Sequence, residues 1–413
     1  MSGKTILILG AGVGGLVAAH RLRERLGREH RIVVVDKSAQ HVFAPSLLWL
    51  MVGWRHAPQV TRDLRLLSRR GIEFVQAEVQ AIDPEARKAA TSAGEVAADY
   101  LIVALGAELD PAATPGLAES AHWYFDLSGA ERLREALAKF DGGRVVLVIA
   151  GLPYKCPGAP WEGALVLDYY LRQRGLRDRV EMSAYTPEPL PMPVAGPIVG
   201  RALKEMVEAR GIDFNAHARL SSVDAGRRAL SFEDGRKVEY DLLVTIPPHR
   251  CPAVVKNAGL AGETGWVSVN ARTMATAFDR VYALGDVTMI KLANGKPLPK
   301  AGVFAHGQAE AVARTIVADI AHSGKPVEFN GEGYCIVETG YGQAALGAGN
   351  FYTEPDPVVA LKPPSRFSHL GKVAFEKYWL WRWFGGKLPG IGMPGLLRVL
   401  ADRVVFGLVL PPG

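Results

Sequence analysis

A glycine-rich turn near the N-terminus constrains the fold of this 413-residue chain more than any other feature. The apolar run of residues 5–9 leads into Gly10-x-Gly12-x-x-Gly15, and a helical apolar pattern follows. In such a turn the first glycine permits a tight bend, the second admits a phosphate, and the third lets the helix pack on the strand. Asp36 ends the next strand, where a carboxylate can accept both hydroxyls of a ribose. The pattern predicts a dinucleotide site, and the alternative is a glycine-rich turn without a ligand.

Strands alternate with helices along most of the chain. A buried strand at 143–150 opens a second strand–turn–helix unit, and a strand at 280–284 precedes a helical segment at 304–321. This alternation predicts an α/β protein with two Rossmann-like domains. We expect an FAD-binding domain at 1–112 and 265–325, a second Rossmann-like domain without a nucleotide loop at 113–264, and a C-terminal redox-cysteine and membrane segment at 326–413.

Two further segments resemble FAD signatures of flavoproteins with two dinucleotide-binding domains. One contains Gly106 and the other ends in Gly285-Asp286. The likeness, which extends to glutathione-reductase-like flavoproteins, implies FAD and assigns the Asp286 carboxylate to the ribityl chain. Taken alone, Asp286 could equally be a helix cap. The turn of the second unit contains Pro153 and Pro157, which remove amides that a second pyrophosphate would need, so NADH is disfavoured as electron donor.

Composition excludes several classes of protein. Apolar residues make up 48% of the chain and charged residues 22%, which argues against a disordered or fibrous protein. Three cysteines are too few for a secreted disulfide scaffold. The N-terminus lacks the order of segments typical of a signal peptide, and no apolar run is long enough for a spanning helix. No metal site is predicted.

The excess of basic over acidic residues lies in the C-terminal tail. The net charge is +6, and residues 361–413 alone account for it. Within this tail, residues 375–384 contain six aromatic side chains, which favour a lipid headgroup region. A helical apolar face follows at 397–408, and a Pro-rich linker is expected at 353–365. The tail therefore predicts binding to an anionic membrane surface rather than to nucleic acid, and the alternative is a dimer or core-packing helix pair.

The chain resembles the family of sulfide:quinone oxidoreductases and flavocytochrome c sulfide dehydrogenases over nearly its whole length. The likeness is carried by Tyr154-Lys-Cys156-Pro-Gly-Ala-Pro160-Trp-Glu162, Ile246-Pro-Pro-His249, Gly285-Asp286, Pro299-Lys-Ala-Gly302 and Gly333-Tyr-Cys335. It implies sulfide oxidation to persulfide or polysulfide sulfur at a cysteine pair on one side of the flavin. The resemblance, not the spacing, assigns that pair to Cys156 and Cys335.

Two charged residues accompany the pair in the matching motifs. Glu162 corresponds to a carboxylate that moves protons during the thiol steps, although an acidic residue at a helix start is an equal alternative. Lys300 is expected to stabilise negative charge on the reduced flavin, with a surface lysine as the alternative. Cys251 is expected to be an inert, buried small hydrophobe.

The sequence departs from the family pattern at two places. Many sulfide:quinone oxidoreductases have a third cysteine shortly before the second unit, but residues 122–126 contain none. Some members bind the flavin covalently through a cysteine near the position of residues 40–46, and this chain has none there. Non-covalent FAD is therefore expected, while the length of the sulfur product stays open.

The tail and its resemblance to quinone reductases predict the electron acceptor. A membrane quinone is expected to enter between Phe375, Tyr378 and Trp379 and to reach the flavin face opposite the cysteines. We expect a peripheral protein of the prokaryotic cytoplasmic membrane, with a homo-oligomer as an open option. Two alternatives are a flavoprotein that passes electrons to a cytochrome c partner and a non-catalytic flavin redox sensor.

Overall fold

The computed structural model describes residues 3–323 and 326–385. Its first part, up to residue 120, consists of short strands around one long helix. The elements are β1 (Thr5–Leu9), α1 (Val13–Arg25), β2 (Arg31–Asp36), β3 (Gln40–Val42), α2 (Leu47–Met51), α3 (Ala57–Val60), β4 (Thr61–Asp63), β5 (Glu73–Gln76), β6 (Val79–Asp83), β7 (Lys88–Thr91), β8 (Gly94–Ala97), β9 (Tyr100–Val103), β10 (Glu108–Leu109) and α4 (Leu117–Ser120).

The middle of the chain, up to residue 257, repeats the alternation of strands and helices. The elements are α5 (Leu127–Lys139), β11 (Gly143–Ile149), α6 (Ala159–Gln173), β12 (Val180–Tyr185), α7 (Pro197–Glu208), β13 (Ile212–Asn215), β14 (Leu220–Asp224), β15 (Ala229–Phe232), β16 (Lys237–Glu239), β17 (Leu242–Ile246), β18 (His249–Arg250) and α8 (Ala253–Asn257). The remaining described elements are β19 (Val281–Ala283), α9 (Gly302–Ile320), β20 (Glu332–Gly340), β21 (Gln343–Asn350), β22 (Val358–Ser365) and α10 (Arg366–Phe384).

The first parallel sheet has the strand order β19-β9-β1-β2-β5. Leu7 in its centre pairs in register with Val33 and Leu101 on the two neighbouring strands, and all three are fully buried. Because both faces are covered, the strands are nearly continuous apolar runs. The late strand β19 completes a sheet that the N-terminal segment begins, and α9 packs beside α1. The predicted helix at 304–321 is confirmed as Gly302–Ile320.

A second parallel sheet has the order β13-β12-β11-β17. Helix α6 is the next element after β11 and is buried along most of its length. The turn at 150–158 therefore connects two buried elements. The two parallel sheets confirm the α/β, Rossmann-like fold expected from the alternation of elements.

The C-terminal region corrects one prediction. Residues 353–365 were expected to form a linker, but Val358–Ser365 is strand β22 of an antiparallel sheet with the order β20-β21-β22. Val359 and Leu361 turn toward a buried cluster in the alternating pattern of a half-buried strand. Pro363 and Pro364 are tolerated because β22 lies at the edge of the sheet.

Helix α10 packs into the protein rather than lying on its surface. The Ser365 hydroxyl accepts a hydrogen bond from the amide of Ser368 at 3.1 Å and caps the helix. The buried face repeats at helical spacing through Lys372, Glu376, Trp379 and Trp383. The expectation that this aromatic segment faces lipid headgroups is therefore wrong for its buried members, Tyr378, Trp379, Trp383 and Phe384.

The second half of the predicted tail, the helical face at 397–408, lies outside the described residues. Within residues 3–323 and 326–385, no helix combines the length and the hydropathy needed to cross a bilayer.

Candidate active site

The glycine turn has the geometry that its sequence predicts. Gly10 has a φ of +99°, which only glycine adopts easily. A Cβ on Gly15 would lie 1.9 Å from the Gly10 carbonyl oxygen, so glycine is required for close packing of helix and turn. A Cβ on Gly12 would meet no atom within 4 Å, which leaves its backbone open to a ligand at the N-terminus of α1. These features fit a pyrophosphate.

Asp36 is bound to the glycine turn. One carboxylate oxygen accepts a hydrogen bond from the amide of Ala11 at 2.7 Å, and the other accepts one from the amide of Ser38 at 2.8 Å. Each carboxylate oxygen has a second lone pair. The carboxylate therefore holds the turn and keeps acceptor capacity for the hydroxyls of a ribose.

Gly106 and Gly285 lie after neighbouring strands of the first sheet. Both have positive φ values, +68° and +74°. Asp286 begins a turn directly after β19, and burial raises the pKa of its carboxyl group. The positive charges of Lys155 and Lys300 act in the opposite direction. Lys300 and Asp286 line the same small cavity, together with Thr288, Ala301, Phe304 and Gln308.

Lys300 is buried, which excludes the alternative of a surface lysine. Its Nζ donates hydrogen bonds to the carbonyl oxygens of Asp286 at 2.8 Å and Thr288 at 2.7 Å. The same Nζ lies 3.5 Å from the centroid of the Trp266 ring. Burial lowers the pKa of Lys300 to about 8. The cation is thus held at one wall of the cavity by backbone and aromatic contacts.

The structure brings Cys156 and Cys335 to the same place. Cys156 lies in the turn between β11 and α6, and its amide donates a hydrogen bond to the carbonyl oxygen of Lys300 at 2.6 Å. Cys335 lies on β20, and its Sγ is 3.0 Å from the position that a Cβ on Gly158 would occupy. Both thiols are free, and a negative charge on Cys156 raises the pKa of Cys335. The described contacts therefore place the two thiols within electrostatic range of each other.

The two thiols have different electrostatic surroundings. Burial raises the pKa of both. For Cys156 the positive charge of Lys372 opposes this effect, as does a hydrogen bond from the amide of Ala159. Cys156 is thus the better stabilised thiolate of the pair. Cys251 is buried in the cluster beneath the first sheet, where burial raises the pKa of its thiol and the charges of Lys256 and Lys300 oppose this.

Glu162 forms a buried ion pair that the sequence did not predict. Its carboxylate contacts the Lys372 ammonium of α10 and accepts a hydrogen bond from the amide of Glu338 at 3.0 Å. The side chains of Glu162 and Lys372 are only 4% and 5% exposed. Lys372 also donates to the carbonyl oxygen of Ile336 at 3.3 Å. Burial lowers the pKa of Lys372 to about 7, while negative charges on Cys156 and Glu376 raise it.

One pattern in the sequence indicates Lys372 in retrospect. It lies seven and eleven positions before two buried tryptophans, Trp379 and Trp383, so it shares their side of α10. A lysine on an apolar helix face needs a buried acidic partner. The partner lies 210 positions away, and only the fold shows that it is Glu162.

The three aromatic residues predicted at a quinone entrance lie on α10 but have unequal exposure. Phe375 is half-buried and packs against Phe43 and Tyr334, with ring centroids 5.7 Å and 6.3 Å away. Trp379 is buried and donates a hydrogen bond from Nε1 to Nε2 of His41 at 3.1 Å. Tyr378 is buried as well. On this helix the strongly exposed apolar side chains are instead Phe367 and Leu370, at 68% and 63%.

The fold and the site together define a flavoprotein class. A family model described as pyridine nucleotide-disulphide oxidoreductase matches residues 4–309, and the chain belongs to this family. The family and the geometry of the glycine turns imply a flavin cofactor.

The comparisons with individual proteins are more specific, and they confirm the predicted resemblance. The chain is 28% identical over 405 residues to the sulfide-quinone reductase of Aquifex aeolicus, covering 93% of this chain and 92% of that protein. It is 26% identical over 371 residues to the mitochondrial sulfide:quinone oxidoreductase of Mus musculus, covering 85% and 79%. The X-ray structure of the sulfide:quinone oxidoreductase from Aquifex aeolicus superposes with a TM-score of 0.85 at 26% identity, covering 97% of this chain and 95% of that one.

The buried ion pair generates a stability prediction. Lys372→Met leaves the Glu162 carboxylate buried without its counter-ion, so we expect a loss of about 3–5 kcal/mol in the free energy of unfolding. The double variant Glu162→Gln/Lys372→Met should recover most of this loss, because the amide oxygen can still accept the hydrogen bond from Glu338. Urea denaturation of the FAD-loaded proteins measures both values. Equal losses in the single and double variants would contradict the assignment.

Proposed function

We propose that the protein is a sulfide:quinone oxidoreductase that oxidises sulfide at Cys156 and Cys335 and passes the electrons to a quinone. The observation that carries the proposal is that these two cysteines, 179 positions apart in sequence, belong to segments that contact each other. Cys156 is also hydrogen-bonded to Lys300, which lines the small cavity beside Asp286. The relatives reported above are named for sulfide and quinone. None of these names supports a cytochrome c acceptor.

The chemistry at the cysteines follows thiol–disulfide exchange. In the oxidised protein the two cysteines form a disulfide, and a hydrosulfide ion attacks one sulfur. A bond forms between the incoming sulfur and that cysteine, the bond between the cysteines breaks, and the other cysteine leaves as a thiolate. The products are a cysteine persulfide and a thiolate, with no change in total charge. FAD, held by the glycine turns and Asp286, would supply two-electron redox chemistry between the thiols and the quinone.

The electrostatics at Cys156 favour this exchange. Opening a buried disulfide creates a thiolate in a low-dielectric region, where an uncompensated charge is costly. Lys372 provides the compensating positive charge near Cys156. Glu162 holds the Lys372 ammonium and is the group we assign to proton movement in the thiol steps. Lys300 is assigned to the reduced flavin, whose negative charge it would offset.

The quinone is assigned to the aromatic side of α10. Phe375 and Tyr334 are half-buried there and pack with the buried Phe43, and they offer ring-stacking surfaces to a planar acceptor. Tyr378 and Trp379 are buried behind this group and fix the helix. We retain these three residues of α10 as the quinone entrance, with Phe375 as the member that a ligand can reach.

We also propose that FAD is bound non-covalently at Gly10, Gly12, Gly15, Asp36, Gly106, Gly285 and Asp286. Residues 40–46 provide no cysteine for a covalent link, and Cys251 is buried beneath the first sheet. Acid precipitation of the purified protein should therefore release all of the flavin into the supernatant. Flavin that stays with the precipitated chain would contradict this assignment.

Membrane binding is proposed to begin at the start of α10. Phe367 and Leu370 lie three residues apart on one side of the helix and are strongly exposed, and Arg366 and Lys362 next to them are exposed cations. Apolar side chains beside basic ones suit the surface of an anionic membrane. We place the protein at the prokaryotic cytoplasmic membrane as a peripheral protein, an arrangement compatible with a homo-oligomer.

This surface predicts that the full-length double variant Phe367→Ser/Leu370→Ser sediments less with vesicles containing anionic lipid than the unmodified protein does. The expected decrease in partitioning is about tenfold, since two large apolar side chains are lost. Ile198→Ser is the matched control, because Ile198 is 75% exposed in another part of the protein. Unchanged sedimentation of the double variant would place the membrane contact elsewhere.

The cysteine assignment predicts the outcome of an anaerobic titration. In the unmodified protein, sulfide should bleach the oxidised flavin spectrum, NADH should not, and a soluble quinone analogue should restore it. Cys156→Ser and Cys335→Ser should each abolish bleaching by sulfide, because a single thiol cannot form the disulfide that sulfide attacks.

Cys251→Ser is the matched control for this titration and should behave like the unmodified protein. Full activity of a Cys156→Ser/Cys335→Ser variant would overturn the assignment. Steady-state turnover with sulfide and the quinone analogue also separates an enzyme from a redox sensor, which would bleach once and stop.

A further inference from the structure

The loop that follows β12 contacts both cysteine-bearing segments. Near its end, Met192 Sδ lies 3.5 Å from the position that a Cβ on Gly158 would occupy, and Cys335 Sγ lies 3.0 Å from the same point. Near its start, Glu188 Oε2 accepts a hydrogen bond from the Tyr154 hydroxyl at 2.8 Å. Residues 186–193 thus form a wall beside the thiol pair, contributed by the second Rossmann-like sheet.

Tyr154 lies between Glu188 and Cys156. It precedes Cys156 by two residues in the same turn, and its side chain is buried. Burial raises the pKa of its hydroxyl, and negative charges on Glu188 and on Cys156 act in the same direction, so the hydroxyl lies within electrostatic range of both groups. Tyr124, the second buried tyrosine near Cys156, has a backbone partner instead of a carboxylate, because its hydroxyl donates to the carbonyl oxygen of Ala159 at 3.0 Å.

Glu188 differs from the other carboxylates at this site. It is half-buried, and within the described residues no lysine, arginine or histidine side chain lies within ion-pair distance of it. The Tyr154 hydroxyl of the cysteine turn donates to its carboxylate, while the Glu188 backbone bonds to the Thr186 hydroxyl and to the amide of His217, which donates to the Glu188 carbonyl oxygen at 3.4 Å. Burial raises the pKa of Glu188 to about 7, and the Tyr154 hydrogen bond partly opposes this.

From this geometry we propose that Tyr154 and Glu188 form the proton acceptor for hydrogen sulfide as it reaches the cysteine pair. The inference rests on the proposed function and adds to it the group that prepares the nucleophile. Dissolved sulfide at neutral pH is a mixture of hydrogen sulfide and the hydrosulfide ion, and only the hydrosulfide ion attacks a disulfide.

The proton transfer balances without any electron movement. The S–H bond breaks as its proton passes to the Tyr154 oxygen, and the hydroxyl proton of Tyr154 passes to the Glu188 carboxylate. The products are a hydrosulfide ion beside the cysteines and a neutral Glu188. Because Glu188 is partly exposed, its proton can then leave to solvent.

The Glu162–Lys372 pair does not replace this acceptor. It is only 4–5% exposed, its carboxylate is bound to the ammonium and to the amide of Glu338, and it reaches Cys156 from the side of α10. Tyr154 and Glu188 reach the cysteines from the 186–193 wall. The two groups are therefore assigned to different proton transfers.

The test is the pH profile of flavin bleaching by sulfide, followed anaerobically by stopped flow in the FAD-loaded, full-length protein. Above its pKa Glu188 is ionised and can accept a proton. Near pH 7 much of the sulfide is present as H2S, which must lose a proton before it can attack. At alkaline pH the hydrosulfide ion is already present, so no acceptor is needed. Glu188→Gln should therefore slow bleaching about twofold near pH 7, where about half of the sulfide is already the hydrosulfide ion, and have little effect at alkaline pH.

Tyr154→Phe should show the same pH-dependent defect, because it removes the hydroxyl that connects sulfide to Glu188. Glu181→Gln, which changes an exposed carboxylate on β12, is the matched control and should follow the unmodified profile. A defect of equal size at all pH values, or profiles of both variants identical to that of the unmodified protein, would overturn the proposal. Failure of sulfide to bleach the unmodified protein would instead overturn the proposed function.

Discussion

The contact between Glu162 and Lys372 is the interaction on which the site depends. It joins three separate parts of the chain: α6 of the second domain, β20 of the C-terminal sheet, and α10. Cys156 lies six residues before Glu162, and Cys335 lies three residues before Glu338, whose amide completes the contact. A buried ion pair is stable only when its remaining hydrogen-bonding capacity is satisfied. The geometry of this pair therefore holds the two cysteine segments in a fixed relation.

The same contact separates the surroundings of the thiols into two sides. Toward α10, Cys156 lies within electrostatic range of the buried Lys372 cation. Toward the second sheet, the pair meets Met192 and the Tyr154–Glu188 hydrogen bond. A catalyst that joins a water-soluble donor to a lipid-soluble acceptor needs distinct approaches for the two. The proposed function assigns the donor to the side of Tyr154 and Glu188 and the acceptor to the side of α10.

The extent to which sequence predicts this structure depends on whether the determining contact is local. The turn from Gly10 to Gly15, its answering Asp36 and the helix at 302–320 follow from patterns within short stretches, and they were predicted closely. The prolines in the strand at 358–365 favour a linker in the sequence, because they outweigh a short alternation of apolar residues. Only the edge position of the strand in its sheet makes these prolines acceptable.

The cysteine pair and the Lys372 partner could not be derived from residues alone, because each depends on contacts about 180 or more positions apart in sequence. The resemblance supplied the first, while nothing supplied the second. The aromatic stretch of α10 was misread for a related reason. Tryptophans suit a headgroup region and a packed interface equally well, and the choice depends on what covers them. His41 covers Trp379 and accepts a hydrogen bond from its Nε1, although the two residues are more than 300 positions apart in sequence.

The burial of a lysine next to a thiol has a cost that the chemistry explains. Removing an ammonium and a carboxylate from water is unfavourable, and apolar side chains of similar size would pack in their place without that penalty. Such a pair contributes little to stability over an apolar alternative, so its presence beside Cys156 points to a need for charge there. That need arises when a disulfide opens and one sulfur becomes an anion. Because Lys372 opposes the effect of burial on the pKa of Cys156, it would stabilise the anion that the proposed exchange reaction releases.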